Sequence, residues 1–291
     1  MRENTESTTR EALADFLRRR RDTLPPEAVG LQDGRRRRTP GLRRDEVARL
    51  ANMSTTYYER LEQGRGPQPS AAILSGLAAA LRLGPDERAY LYLLAGRIEP
   101  AAAQPAGTVD AELLSVMRAM ATTSPAFVVD DLATVAAQND AYTAVFGLVA
   151  GLPGREGNML WRWFCSSSRR AAVLNTAEHQ EAIGRDSVAC LRVMVAERGY
   201  DADAAALVAD LRTGSPEFSR MWDEHQVFRS SSSALSVRDD RVGRLDFDYV
   251  MMTSSRSRQR LFSLHAVPGT PTQQRLTRLL NVRSAFAATY R

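Results

Sequence analysis

Apolar residues in the first hundred positions recur at three- and four-residue intervals. Leu13, Phe16 and Leu17 form one such set, Ile73, Leu74, Leu77 and Leu81 a second, and Tyr90, Leu91 and Leu94 a third; each is the stripe that an amphipathic helix turns toward a core. Ser70 is placed to cap a fourth helix, Pro85 to open a fifth after Gly84, and Gly96 to close it. The pattern predicts an all-α N-terminal domain of about five helices over residues 1–98.

Further along, the rhythm changes. Residues 126–129 and 134–137 read as short strands about an Asp130-Asp131 turn. Leu245, Phe247 and Tyr249 alternate with Arg244, Asp246 and Asp248, which predicts a half-buried strand, and 260–267 predicts another. Helices are expected near 138–146, 169–198 and 202–212. This half, residues 111–291, is therefore α+β. Between the two, residues 99–110 (EPAAAQPAGTVD) hold Pro, Ala and Gly but no large apolar side chain, the composition of an exposed linker.

Length and composition narrow the class. A chain of 291 residues can build two domains, each with its own core. Hydrophobic residues at 44% and charged residues at 25% suit a soluble protein; no stretch reads as a membrane span or a signal peptide, so a cytoplasmic location is expected. Cys165 and Cys190 lack CxxC or histidine spacing, so no disulfide, metal or cofactor is expected, and both read as small buried hydrophobes. Only His179, His225 and His265 occur, with no GxSxG and no Gly-rich phosphate loop after a strand, which argues against an enzyme. The net charge is +5, and its excess lies in front: residues 1–100 hold 18 Arg against 14 acids, the remainder 21 against 20. All 39 basic residues are Arg, which suits phosphate and guanine contacts but follows equally from a GC-rich genome.

The stretch from Gly41 to Ser70 carries the most information. Residues 45–50 predict a short helix with Val47 and Leu50 inward and Ala48 small enough for a close crossing. Asn52 tolerates the left-handed turn that must follow. Ser54 then caps a helix that ends at Gly64, burying Tyr58 and Leu61 and presenting Thr55, Thr56, Tyr57 and Arg60 outward. Two helices so joined form a helix-turn-helix, whose second helix fits a major groove, where Arg60 has the reach to bind guanine through two hydrogen bonds. An ordinary helical hairpin with a solvated arginine face has the same pattern. Six Arg and no acid between Arg35 and Arg44 (Arg36, Arg37, Arg38 and Arg43 among them) favour the DNA-binding reading, because phosphates would lie there.

In RRRRTPGLRRDEVARLANMS, TYYERLEQGRGPQPS and LAAALRLGPDERAYLYLLAG, residues 11–97 resemble the XRE-type helix-turn-helix regulators of the MmyB-like branch. The resemblance implies phosphate contacts from Arg43, Arg44, Ser54 and Gln63 and base readout by Thr55, Thr56, Tyr57 and Arg60. It also implies a structural pair between Arg21 and Glu62. Asn52 stands where the family more often has Gly.

From about Val109 onward, PAFVVDDLATVAAQND, residues 158–164, LVADLRTGSPEFSRMWDEHQV and DDRVGRLDFDYV are similar to the MmyB-like ligand-binding domain. A PAS-like fold and a fatty-acid-like ligand are what that similarity implies. Asp240-Arg241 departs from the family's His-Pro, which would alter the pocket or its rim. Phe127, Trp163, Phe164 and Trp222 are candidates to line an acyl site, and His225 and Arg229 to hold its head group; such aromatic residues ordinarily build packed core instead. The expected partners are double-stranded DNA carrying a short inverted repeat, a small molecule and a second copy of the chain in a homodimer. Control by a protein partner, and an enzyme fused to a DNA-binding domain, are the competing readings.

Overall fold

The helical stripes of the first hundred residues close on one another in a computed structural model that describes residues 2–31, 40–97, 99, 108–227, 234–254 and 256–289. The chain divides into two units, residues 1–100 and 101–291. The first contains α1 (Arg2–Thr23), a 3₁₀ turn (Pro26–Val29), α2 (Arg44–Leu50), α3 (Thr55–Glu62), α4 (Ala71–Ala80) and α5 (Pro85–Leu94). Leu13, Leu17, Leu42, Val47, Tyr58, Leu61, Leu74, Leu77 and Leu91 form its core. Ser54 and Ser70 cap α3 and α4 by accepting the backbone N–H of Tyr57 (3.2 Å) and Ile73 (3.3 Å). Asn52 takes the left-handed turn at φ 53°. One expectation fails: Leu50 is 37% exposed, and α2 turns Val47, Ala48 and Ala51 inward instead. The inward stripe runs 47–48–51, and position 50 lies off it. The crossing of α2 with α4 is close enough that a Cβ at Gly76 would stand 2.8 Å from the Ala51 carbonyl oxygen.

The second unit is α+β and PAS-like. In chain order it comprises α6 (Ala111–Ala119), β1 (Ala126–Val129), β2 (Val135–Gln138), α7 (Asp140–Phe146), α8 (Met159–Phe164), α9 (Ser167–Ala171), α10 (Ala177–Glu197), α11 (Ala202–Gly214), α12 (Pro216–Asp223), β3 (Ala234–Asp239), β4 (Gly243–Thr253), β5 (Arg260–Ala266) and α13 (Thr272–Thr289). Among the described residues the strands form one antiparallel sheet in the order β2-β1-β5-β4-β3. Leu113 and Met117 of α6 pack on Val128 and Leu261, whereas Phe127, Tyr142, Phe247 and Leu264 build a separate cluster. The helices add their own core around Leu191, Leu207, Leu211, Phe218 and Trp222.

Three sequence expectations are corrected. The helix predicted over 169–198 is two, because the chain between α9 and α10 is claimed by the sheet edge. There Leu174 N–H donates to Ser236 O and Arg238 N–H to Ala172 O, each at 2.8 Å, while Asn175 Oδ1 accepts from Ser236 N–H. Asp110, assigned to the linker, instead caps α6 through Glu112 N–H (2.9 Å) and accepts hydrogen bonds from Ser254 and Ser257; residues 100–107 lie outside the described residues. The helix expected from 138 begins at Asp140, with Asn139 as its cap.

Asn158 binds the start of α8 to the β1–β2 turn. Its Oδ1 accepts the N–H of Leu160 (3.0 Å) and Trp161 (3.1 Å), and its Nδ2 donates to Leu132 O (2.7 Å). Asn158→Ala strands these buried groups and should cost about 3 kcal/mol, read as a lower urea midpoint at unchanged slope.

Candidate nucleic-acid interface and ligand cavity

Glu62 is 1% exposed at the end of α3, and such a carboxylate persists only when it is answered. Arg21, late in α1, donates from Nε to its Oε1 at 2.6 Å, and Arg44 at the start of α2 donates from Nε to Oε2 at 2.7 Å. Arg21 also donates to Leu42 O at 3.1 Å, and Arg18 reaches the Glu62 carbonyl at 3.1 Å. Three helices are thus pinned to one side chain. Burial by itself would raise the Glu62 carboxyl, but the hydrogen bonds from Arg21 and Arg44 hold it below its ordinary value. Burial, reinforced by the Glu62 charge, pushes the neighbouring Tyr58 phenol up.

Anchored this way, α3 presents a polar face. Thr55, Thr56, Arg60 and Gln63 are exposed. Positions 56, 60 and 63 follow one another at helical spacing and so share a face. Tyr57 is partly buried against the core, which raises its phenol and leaves less of the ring for a groove than the sequence suggests. Ser54 is exposed while capping α3. Arg43 is exposed at the N-cap of α2, where its backbone N–H donates to Glu46 (2.7 Å). Arg44 is half-exposed with Nε committed to Glu62, a partner that the sequence did not suggest for it. Arg36, Arg37 and Arg38 lie outside the described residues.

In the second unit a cavity of about 470 Å³ lies between the sheet and α8–α10. Phe127 and Trp163 line it. Phe164 and Trp222 do not: both pack on Phe218, at 5.3 Å edge-on and 5.7 Å stacked, within the helical core. His225 is exposed beside Arg192, with Nδ1 3.1 Å from the guanidinium, and is no head-group holder for this cavity. Arg229 lies outside the described residues. The turn residues Asp240 and Arg241, the departure from the family, are absent from the lining.

Five arginines, Arg162, Arg169, Arg170, Arg238 and Arg260, line the cavity against Asp131 and Asp186. The sequence contained a signal for one of them: strand alternation sets Arg260 on the face of Phe262 and Leu264. Arg170 lies 4.6 Å over the Trp163 ring and pairs with Glu217 at 3.1 Å. Arg169 donates to the Phe146 carbonyl, and burial lowers its guanidinium from the ordinary value. Cys190, expected to be plain filler, lines the cavity with Sγ 2.5 Å from Arg260 Nη1.

A helix-turn-helix unit joined to a PAS-like domain with a largely apolar cavity defines a DNA-binding transcription regulator with a ligand-sensing domain. Residues 12–91 match the model of a helix-turn-helix domain, and residues 109–280 match the MmyB-like transcription regulator ligand binding domain. The chain belongs to the MmyB-like transcription regulators. No curated protein matches it. Both matched families are regulator domains, and no helix among the described residues is long and apolar enough to cross a membrane.

Two outcomes follow for the Glu62 network. Because the folded carboxyl is lowered, its stabilisation is complete above the unfolded value and is lost as pH falls through the folded one. Amide-exchange protection of α3 should therefore weaken below about pH 4.3, with a flatter acid limb in Glu62→Gln. Arg21→Ala leaves a buried charge with less to answer it and should reduce α3 protection by about 3–5 kcal/mol; lost DNA affinity at unchanged protection would show that Arg21 acts on DNA instead.

Proposed function

We propose that the protein is a one-component regulator that binds a short inverted repeat as a homodimer and responds to a fatty-acid-like molecule held in the 470 Å³ cavity. The observation that carries the DNA reading is the face of α3 on which Thr56, Arg60 and Gln63 stand exposed, backed by the buried Glu62 network. A major groove admits one helix, and the side chains on its outer face decide which base edges are read. Arg60 is placed to read guanine, Thr55 and Thr56 to meet bases near the helix start, and Arg43, Ser54 and Gln63 to hold phosphates. A two-fold operator matches a two-fold dimer, and a ligand that favours one dimer geometry shifts the population able to bind it.

The apolar cavity with an arginine-rich wall supports a small amphiphile over a protein partner as the signal.

Arg60→Ala should cost about 1–3 kcal/mol and relax specificity at one base pair, whereas Arg43→Ala should weaken all sequences alike and reduce the salt slope by about one. Arg43 is the cleaner phosphate test, because Arg44→Ala would also disturb Glu62. Operator titrations at several salt concentrations measure both; identical flat effects would refute the assigned readout. Mass spectrometry of extracts from the purified protein, set beside DNA binding before and after extraction, tests the ligand.

A further inference from the structure

A buried charge has to be answered, and among the described residues Arg260, the most buried arginine of the cavity wall, is answered by no carboxylate. Arg260 opens β5 with its side chain on the cavity face of the strand, at 7% exposure. Its Nη2 donates to the carbonyl oxygens of Asp131 (3.2 Å) and Asp130 (3.4 Å), and its Nη1 to Cys190 Sγ (2.5 Å). Its Nε is buried and has no hydrogen-bond partner among the described residues. The carboxylate of Asp131 is turned elsewhere, with both oxygens 3.0 Å from Arg198 Nη1. Asp186, the other acid of the lining, acts electrostatically on Tyr249. Among the described residues no carboxylate pairs with Arg260, although a guanidinium taken out of water ordinarily requires one.

The other lining arginines are paired with a carboxylate or are less buried than Arg260. Arg170 has Glu217, Arg162 has Glu156 at 3.9 Å, and Arg238 is exposed. Arg169 has the Phe146 ring and carbonyl. Arg260 and Arg238 also stand far apart along the sheet: Arg238 opposes Arg244 near the start of β4, and Arg260 opposes Thr253 at its end. Nine strand steps separate those positions, roughly 30 Å at about 3.3 Å each. The face between them carries Phe262, Leu264 and Tyr249.

We propose that Arg260 seats the anionic head of the ligand, a carboxylate received on the unpartnered Nε–H of the guanidinium, with the chain lying along the aromatic face of the sheet. The inference rests on the reading of the cavity as a site for a fatty-acid-like molecule and adds the residue that receives its head and the end of the cavity at which it sits. A charge-assisted hydrogen bond from a guanidinium N–H to a carboxylate is roughly twice as strong as a neutral one, and Nε–H is the donor that the fold leaves open. Occupancy would supply the negative charge that the fold leaves out, so the ligand would stabilise the junction of the β1–β2 turn, β5 and α10.

The test uses the full chain, stripped of co-purifying lipid, and titrates dodecanoate, methyl dodecanoate and dodecanol by calorimetry. The unaltered protein should bind the acid at least about tenfold more tightly than the ester or the alcohol. R260M should abolish that preference while still binding the ester, which also reports that the cavity has folded. R260K should keep most of the preference, and R212M, at a position outside the lining, all of it. Equal binding of acid and ester by the unaltered protein, or an acid preference that survives in R260M, overturns the anchor and leaves the cavity reading standing. If none of the three probes binds, both fall.

Discussion

The carboxylate of Glu62 holds the DNA-binding unit together. It lies under α3, where Arg21 of α1 and Arg44 of α2 converge on its two oxygens and Arg18 on its carbonyl. Short helices such as α2 and α3 have little stability of their own. What holds them at a fixed angle is an apolar core on one side and this charge cluster on the other. Its rigidity is functional: a recognition helix free to tilt would spend binding energy on being ordered.

The sensing unit treats buried charge in the opposite way. Asp239 is held by Arg241 and Asp131 by Arg198, so most of its buried or half-buried charges are paired within the fold. Among the described residues Arg260 has no carboxylate, and it stands at a cavity lined mainly by apolar and aromatic side chains with four further arginines. A pair completed within the chain fixes a structure. A charge left for something else to complete gives a structure whose stability depends on that partner, and that dependence is what a sensor requires.

Much of this was legible before the fold was known, wherever the governing physics is local. The spacing of Leu74, Leu77 and Leu81, the caps at Ser54 and Ser70, the left-handed Asn52 and the alternation in β4 are properties of a few neighbouring residues. Reasoning failed where distant chain decides. The break between α9 and α10 arises because β3 pairs with residues 172–174, which no local pattern announces. Trp222 and Phe164 have the composition of a ligand site, yet they face Phe218 rather than the cavity. Leu50 has the right residue type for a core and the wrong angular position.

By itself, the sequence determined that an all-helical unit with a helix-turn-helix precedes an α+β unit, and that α3 turns Thr55, Thr56 and Arg60 outward, because periodicity and capping act over a turn or two of chain; Tyr57, read as outward too, is partly buried. Only the tertiary structure decided that Arg44 shares Glu62 with Arg21, that Arg169, Arg170 and Arg260 rather than His225 stand in the cavity lining, and that among the described residues Arg260 meets no carboxylate. Those facts depend on which groups meet across long separations in the chain, and on the low dielectric that makes a buried charge costly when its partner is missing.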